Sequence, residues 1–145
     1  MIDAIITRLK ANAPLLGNRV EGAASLSAFL QNNVRPQHSP FAFVIAAGIT
    51  TAGPLDSAVT LHRQTVTRAI EVCWVVDYAG SSAGGEAVAG IAAIETEIIA
   101  ALTGFTPVAG QGAMRLTRSL LTDQEEGTFF FQTSFTFDDH LRITS

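Results

Sequence analysis

The sequence predicts an α+β fold, with a mostly antiparallel sheet of about four strands and two or three helices packed on one face. Three observations predict it. Residues 66–78 alternate in side-chain character well beyond the length of an average strand, residues 86–102 repeat apolar side chains at the helical period, and residues 129–137 return to alternation. Because a chain of this length can bury a sufficient core, we expect residues 1–145 to form a single domain.

The strand at residues 66–78 is the element that the others are expected to cover or extend. Its first face comprises Val66, Arg68, Ile70, Val72, Trp74, Val76 and Tyr78. Nearly all of these are β-branched or aromatic, so this face should lie against the core. The other face is mixed and includes Glu71, Cys73 and Val75. We expect it to contact solvent, a thinner layer or a protein partner.

The first half of the chain supplies shorter elements. Apolar residues recur at helical spacing over residues 2–9, which predicts an amphipathic helix. A connector follows with a brief extended piece at residues 19–21, and residues 23–31 can form a second short helix. The apolar run at residues 41–47 is short for a helix and predicts a buried strand.

Residues 48–63 are expected to form a long arm or mobile loop between two antiparallel strands. The segment is rich in Gly, Thr, Ser and Ala, contains Pro54, and has only Leu55, Val59 and Leu61 as large apolar anchors. Loops longer than about 12–15 residues in a compact domain are usually functional or disordered. We therefore expect this arm to become ordered against a neighbouring subunit.

The second half begins with a glycine-rich turn at residues 79–85 and a helix at residues 86–102. Gly104 stands where a left-handed C-terminal cap is expected, and Pro107 indicates that the helix has ended. The small side chains on much of this helix suit close packing on a sheet.

Two strands and an acidic turn are predicted to close the fold. Residues 113–121 should form a strand with Met114, Leu116 and Leu120 directed inward, and residues 122–128 should form the turn. Residues 129–137 should form the last strand. Its core-facing set is Phe129, Phe131, Phe135 and Phe137, and Asp138 and Asp139 are expected at a solvated strand end.

Composition limits the possible functions. The chain is 48% hydrophobic and only 15% charged, where about a quarter is usual, so we expect some apolar surface to lie in a protein interface. The net charge of −4 and the lack of a Lys/Arg cluster argue against sequence-specific nucleic-acid binding. One cysteine is compatible with a reducing cytoplasm. We expect neither a signal peptide nor a membrane span.

Motifs for catalysis are weak. Gly80 and Gly85 have the spacing of a phosphate-binding loop, but Glu86 and Ala87 stand where Lys and Ser or Thr would be needed. A carboxylate there would repel phosphate, so a flexible turn is the better interpretation.

Metal-binding and nucleophilic chemistry are also unsupported. The histidines, His38, His62 and His140, lack the spacing of metal ligands, and Cys73 is best explained as a small buried hydrophobe. We therefore predict no catalytic, cofactor or metal site, and no enzyme.

The order of several short motifs resembles a known family. They are I-I-T-R-L-K at 5–10, R-V-E-G-A-A at 19–24, P-F-A-F-V at 40–44, the strand at 66–76 and I-I-A-A-L-T-G-F-T-P at 98–107. With an aromatic last strand, this order is similar to the tail terminator proteins of long-tailed bacteriophages and prophages, including the Mu-like group. The resemblance implies a structural virion protein that forms a ring, a hexamer in this family, on the end of the tail tube. It would stop tube polymerisation and provide the head-joining surface.

The resemblance also implies the partners. They are other copies of the chain, the tail tube protein and a head completion or connector protein, and DNA would pass through without specific binding. The protein would be assembled in the host cytoplasm and located at the head-proximal end of the tail. Because cyclic symmetry uses two different patches on each subunit, we expect interfaces in the arm and in residues 106–128. The candidate interface residues are Thr51, Pro54, Leu55, Val59, Leu61, Arg63, Arg115 and Arg118, and the candidate lumen residues are Asp123, Glu125 and Glu126.

Two alternatives remain open at this point. Another head–tail connector or tail-completion protein could have a similar fold and stoichiometry. A small α+β ligand-binding domain or enzyme could instead use His62 or Cys73 as its reactive group.

Overall fold

A computed structural model of the chain describes residues 1–32, 40–51, 56–57, 61–77, 84–125 and 127–144. The helices are α1 (Ile2–Asn12), α2 (Ala23–Asn32) and α3 (Gly84–Leu102), with a short 3-10 turn at Pro14–Leu16. The strands are β1 (Val20–Gly22), β2 (Phe41–Thr51), β3 (Asp56–Ser57), β4 (Leu61–Asp77), β5 (Arg115–Glu125) and β6 (Thr128–Thr144).

The strands form one sheet with the order β1-β2-β4-β6-β5, and β3 pairs with β4 off this path. Among the strands that the structure describes, β1 and β2 are the one parallel pair. The predicted α+β class with a mostly antiparallel sheet is confirmed. The sheet has five strands along its path rather than about four, because the extended piece expected at residues 19–21 pairs with β2 as β1.

The central pair is β4 and β6, as the sequence predicts for the long strand and the Phe-rich strand. Their register runs from Leu61 opposite Thr144 to Asp77 opposite Thr128. Both strands extend beyond their predicted bounds, because ladder hydrogen bonds continue where the apolar alternation has already stopped. The prediction that Asp138 and Asp139 form a solvated strand end is therefore wrong. Both lie inside β6, and Asp139 is buried.

The face of the sheet packed against α1 and α3 holds the main core, and we call it the helix face. Its largest fully buried side chains include Trp74, Phe135 and Phe137, with Ile5 and Leu9 contributed by α1. Trp74 stacks on Phe131 with ring centroids 4.3 Å apart. The helix face confirms the predicted inward set of β4 within the described residues. In the same cluster α3 contributes Ile94, Ile98, Ala101 and Leu102.

A smaller cluster lies on the opposite face. Phe41, Phe43 and Val75 are buried there, and Leu26 of α2, Cys73 and Phe130 pack against them. Two helices thus cover one face as predicted, while α2 contacts the other. Val75 is only 3% exposed, so it cannot serve as the partner-contacting position that the strand pattern suggested.

A chain of side-chain hydrogen bonds joins α3 to three strands. The Trp74 indole N–H donates to the Thr133 hydroxyl at 3.0 Å, and the Thr133 and Ser119 hydroxyls lie 2.8 Å apart. Ser119 in turn donates to the Glu95 carboxylate at 2.8 Å. Since the indole and Ser119 both act as donors, Thr133 must donate to Ser119. This network fixes the position of β5 relative to the core.

The strand β5 departs most from its prediction. Leu116 and Leu120, expected to point inward, are both exposed, because β5 is an edge strand and only Met114 before it reaches the core. The strand also runs to Glu125, so the acidic turn predicted at residues 122–128 is wrong for most of its length. The described part of that turn is Gly127, with a φ of 85°.

The structure describes only parts of the predicted arm at residues 48–63 and of the predicted turn at residues 79–85. Residues 48–51 belong to β2, with a bulge between Ala46 and Gly48, and residues 61–63 belong to β4. The remaining residues of the predicted arm, apart from the two of β3, lie outside the described residues, as does most of the turn predicted at residues 79–85. Gly104 has the expected left-handed conformation after α3, with a φ of 84°.

Candidate functional site

The side chains considered for catalysis are not brought together. No group of three or more His, Cys, Asp or Glu in the described part of the chain could hold a metal ion. His140 is exposed, with its Nδ1 3.2 Å from the Thr65 hydroxyl, and His38 lies outside the described residues. Burial, and then the nearby charge of Glu71, raise the pKa of the Cys73 thiol. Because the thiolate is the nucleophile, this environment lowers the reactivity of Cys73.

An ion pair between Arg68 and Asp139 joins β4 to β6 on the helix face. The Arg68 Nε donates to Asp139 Oδ2 at 2.5 Å, and both side chains are largely shielded from solvent. Burial alone would raise the pKa of Asp139, but hydrogen bonds from Arg68 and from the His140 backbone N–H, together with their charges, lower it. The pair is therefore ionised, and its role is structural.

The strand β5 carries an exposed apolar surface that we call the leucine edge. It consists of Leu116, Leu120 and Leu121, which are 40%, 37% and 47% exposed, together with Arg118 between them in sequence. Their register partners show that Leu116 and Leu121 lie on the helix face, whereas Leu120 and Arg118 lie on the opposite face. The apolar surface therefore wraps around the edge of the sheet, and such edges are normally kept polar.

The two arginines predicted at an interface both lie on β5. Arg115 makes a long ion pair of 3.4 Å with Asp138, and both side chains are about half exposed. Arg118 is exposed and has no ion pair among the described residues. Sequence reasoning placed these two residues at an interface but directed Leu116 and Leu120 inward and overlooked Leu121. The adjacent pair Leu120-Leu121 was a signal, because consecutive strand residues must point to opposite faces.

The remaining candidate interface residues belong to the arm. Thr51 is exposed at the end of β2, and Arg63 is exposed on β4 directly opposite Arg142 of β6. Leu61 begins β4. Pro54, Leu55 and Val59 lie outside the described residues.

The candidate lumen residues sit at the far end of β5. Asp123 is exposed, and its carboxylate accepts a hydrogen bond from the Gln124 backbone N–H at 2.8 Å. Glu125 is the last residue of β5, and Glu126 lies outside the described residues.

The other edge of the sheet is β1, which α2 follows directly in sequence, and this strand and helix together form a surface of different composition. We call it the neutral edge because α2, with the sequence AASLSAFLQN, carries no charged residue. Glu21 of β1 is exposed beside it and has no ion pair among the described residues. Ser27 and Ala28 of α2 are also exposed. Depletion of charge is typical of interface centres.

None of the described helices is long and apolar enough to cross a membrane. The described part of the chain thus presents two unlike sheet edges.

Comparison with known proteins identifies the family. The sequence model of a family described as phage tail terminator protein matches residues 2–145. A solved chain from the virion of a native gene transfer agent particle is similar over 100% of this chain and 95% of that chain, with a TM-score of 0.53 and 19% identity. At that identity the likeness shows the fold alone. No curated protein matches. The chain belongs to the phage tail terminator family and is a structural tail protein.

Proposed function

We propose that the chain forms a ring, hexameric as the family resemblance implies, on the last ring of the tail tube. The ring stops tube polymerisation and presents the surface that joins the head. The observation that carries this proposal is the family match over residues 2–145, which spans nearly the whole chain. The exposed leucine edge supports it, because ring assembly requires apolar surface that the monomer does not bury.

The partners follow from this role. They are other copies of the chain, the tail tube protein and a head completion or connector protein. The arm residues, with Thr51 and Arg63 exposed at its described ends, would contact the neighbouring subunit. Asp123, with Glu125 and Glu126, would line the lumen, where like charge keeps passing DNA from binding. Assembly would take place in the bacterial cytoplasm, and the mature location would be the head-proximal end of the tail.

The experiment is a deletion of the gene in the producing phage or prophage, followed by electron microscopy of the tails. We expect tubes of uncontrolled length that lack heads, and normal tails when the intact chain is supplied from a plasmid. As a matched control, a variant with the exposed helix substitution Asn12→Ala should restore tail length as well as the wild type. Light scattering and electron microscopy of the purified chain should show a ring with a central pore.

Two outcomes would count against the proposal. Tails of normal length that fail to join heads would assign the chain to a head–tail completion step, which is the nearer alternative. Infectious particles of normal structure would remove the chain from tail assembly altogether.

A further inference from the structure

We propose that the leucine edge of one subunit docks on the neutral edge of a second copy of the same chain. This inference rests on the proposed ring and deepens it by naming the two surfaces that meet. The two edges lie at opposite ends of the strand order, with β1 first and β5 last. A contact between unlike patches on opposite sides of a subunit is the kind that closes into a ring.

The leucine edge concentrates exposed large apolar side chains on one strand. Of the exposed large hydrophobic residues among the described positions, three belong to β5, and the others, Met1, Leu15 and Ile49, are scattered. The three leucines lie within six residues of one edge strand, two on the helix face and one on the opposite face. Surface of this kind marks a protein interface in a soluble domain.

Side chains rather than added backbone hydrogen bonds should carry the contact. The ladder between β5 and β6 shifts register at two places, between Leu116 and Arg118 and between Leu121 and Asp123. The extra residues, Thr117 and Thr122, each donate a hydroxyl hydrogen bond to a β6 carbonyl at 3.0 Å. Such bulges twist an edge and interrupt its outward hydrogen-bonding groups, which opposes the addition of another strand.

The edge is also held in place before docking. Ser119, in the middle of the leucine edge, bonds to Glu95 of α3 and to Thr133 of β6, both at 2.8 Å. The leucines on either side therefore project from a fixed backbone. A preorganised surface loses less conformational entropy when it binds.

Charge complementarity selects the second copy, and the neutral edge in particular, as the occupant. Arg118 brings one unpaired cation to the leucine edge, and Glu21 brings one unpaired anion to the neutral edge, where α2 adds no charge. A contact that places Arg118 beside Glu21 brings opposite charges together at its rim, which favours this arrangement.

The test is a charge swap measured by self-association of the full chain in sedimentation velocity. Arg118→Glu alone and Glu21→Arg alone should each weaken association at least about tenfold, because each places like charges in every contact. An equimolar mixture of the two variants should recover association to within about threefold of wild type, because alternating copies restore opposite charges at every contact. Lys10→Glu, which makes the same kind of charge reversal at an exposed lysine of α1, is the matched control and should associate as wild type does.

Three other outcomes would contradict this inference, and they show whether the proposed ring fails with it. If the wild type forms rings and the single variants associate equally well, or the mixture shows no recovery, the edges named here are wrong while the ring stands. If Arg118→Glu mixes better with wild type than with Glu21→Arg, the contact is symmetric between leucine edges. If the wild type stays monomeric at every concentration and on tail tubes, both the ring and this contact are overturned.

Discussion

The helix face and the leucine edge contain similar apolar side chains but differ in what covers them. On the helix face, Trp74 and Phe135 are completely buried beneath α1 and α3. On β5, Leu116 and Leu121 point to the same side of the sheet but remain exposed at its edge. We infer that fold stability and assembly depend on separate sets of residues in this chain. Substitutions in the two sets should therefore have separable effects.

The largest loss of stability is expected in the centre of the helix face. Trp74→Ala removes a fully buried indole, its stacking on Phe131 and its hydrogen bond to Thr133. We expect a cost of about 3–5 kcal/mol in the free energy of unfolding, measured by denaturant titration. Trp74→Phe is the control and should retain most of the apolar contact, with a smaller loss from the missing donor. A cost below about 1 kcal/mol for Trp74→Ala would show that α1 and α3 do not pack as described.

The ion pair in the extended part of β4 and β6 should have the next largest effect. Asp139→Asn leaves Arg68 without its charged partner, and the pair is neither fully buried nor exposed, so we expect a loss of about 2 kcal/mol at neutral pH. Asp138→Asn is the matched control, because the adjacent carboxylate is half exposed and makes a long contact with Arg115. It also accepts an exposed hydrogen bond from the Thr67 hydroxyl, which the asparagine amide oxygen can still accept. This control should change stability by less than about 0.5 kcal/mol.

The same pair predicts a dependence on pH. The pKa of Asp139 is lowered in the folded chain, so its contribution is complete above the unfolded pKa of about 3.9 and is lost as the pH falls through the lower folded value. The difference in unfolding free energy between wild type and Asp139→Asn should therefore be constant near neutrality and shrink below about pH 4. A difference that persists unchanged to the lowest accessible pH would contradict an ionic origin.

The contrast between the two regions explains which elements could be predicted from the sequence. The helix face could be predicted because side chains alternate between the two faces of a strand. The alternation through Ile70, Val72 and Trp74 indicates both the strand and its buried side. The helices that cover it have the matching apolar stripes. These features are local in sequence, which is why the α+β class, the central strand pair and the covering helices are confirmed by the structure.

The failures occur where position in the sheet outweighs local pattern. Leu116 and Leu120 have the residue type of a core strand, but β5 is at the edge of the sheet and both side chains are exposed there. Asp139 has the residue type of a solvated end, but its partner Arg68 is distant in sequence, so the pair depends on the register of β4 and β6. No local pattern in a single sequence records either fact. The assembly surfaces were therefore harder to predict than the core.

A smaller effect is expected where the two regions join. Ser119→Ala removes the hydroxyl that links Glu95 to Thr133, and since Glu95 can be partly rehydrated, we expect a loss of about 1 kcal/mol. Ser119→Thr keeps a hydroxyl at this position and should retain most of that stability. If β5 is held by this network, hydrogen exchange along β5 should accelerate in Ser119→Ala while exchange in α1 is unchanged. Equal protection in both variants would show that the network does not fix the edge.

The smallest effect on stability should come from the leucine edge itself, and it separates the two regions most sharply. Leu121→Thr changes a side chain that is 47% exposed and introduces a β-branched residue that favours strands, so the unfolding free energy should change by less than about 0.5 kcal/mol. The same substitution in the core, Leu9→Thr, should cost about 3 kcal/mol, because Leu9 is fully buried. Self-association should show the reverse order. Leu121→Thr should weaken self-association although its stability is close to that of the wild type, whereas the folded fraction of Leu9→Thr should still associate. If Leu121→Thr associates as well as the wild type, the leucine edge has no part in assembly.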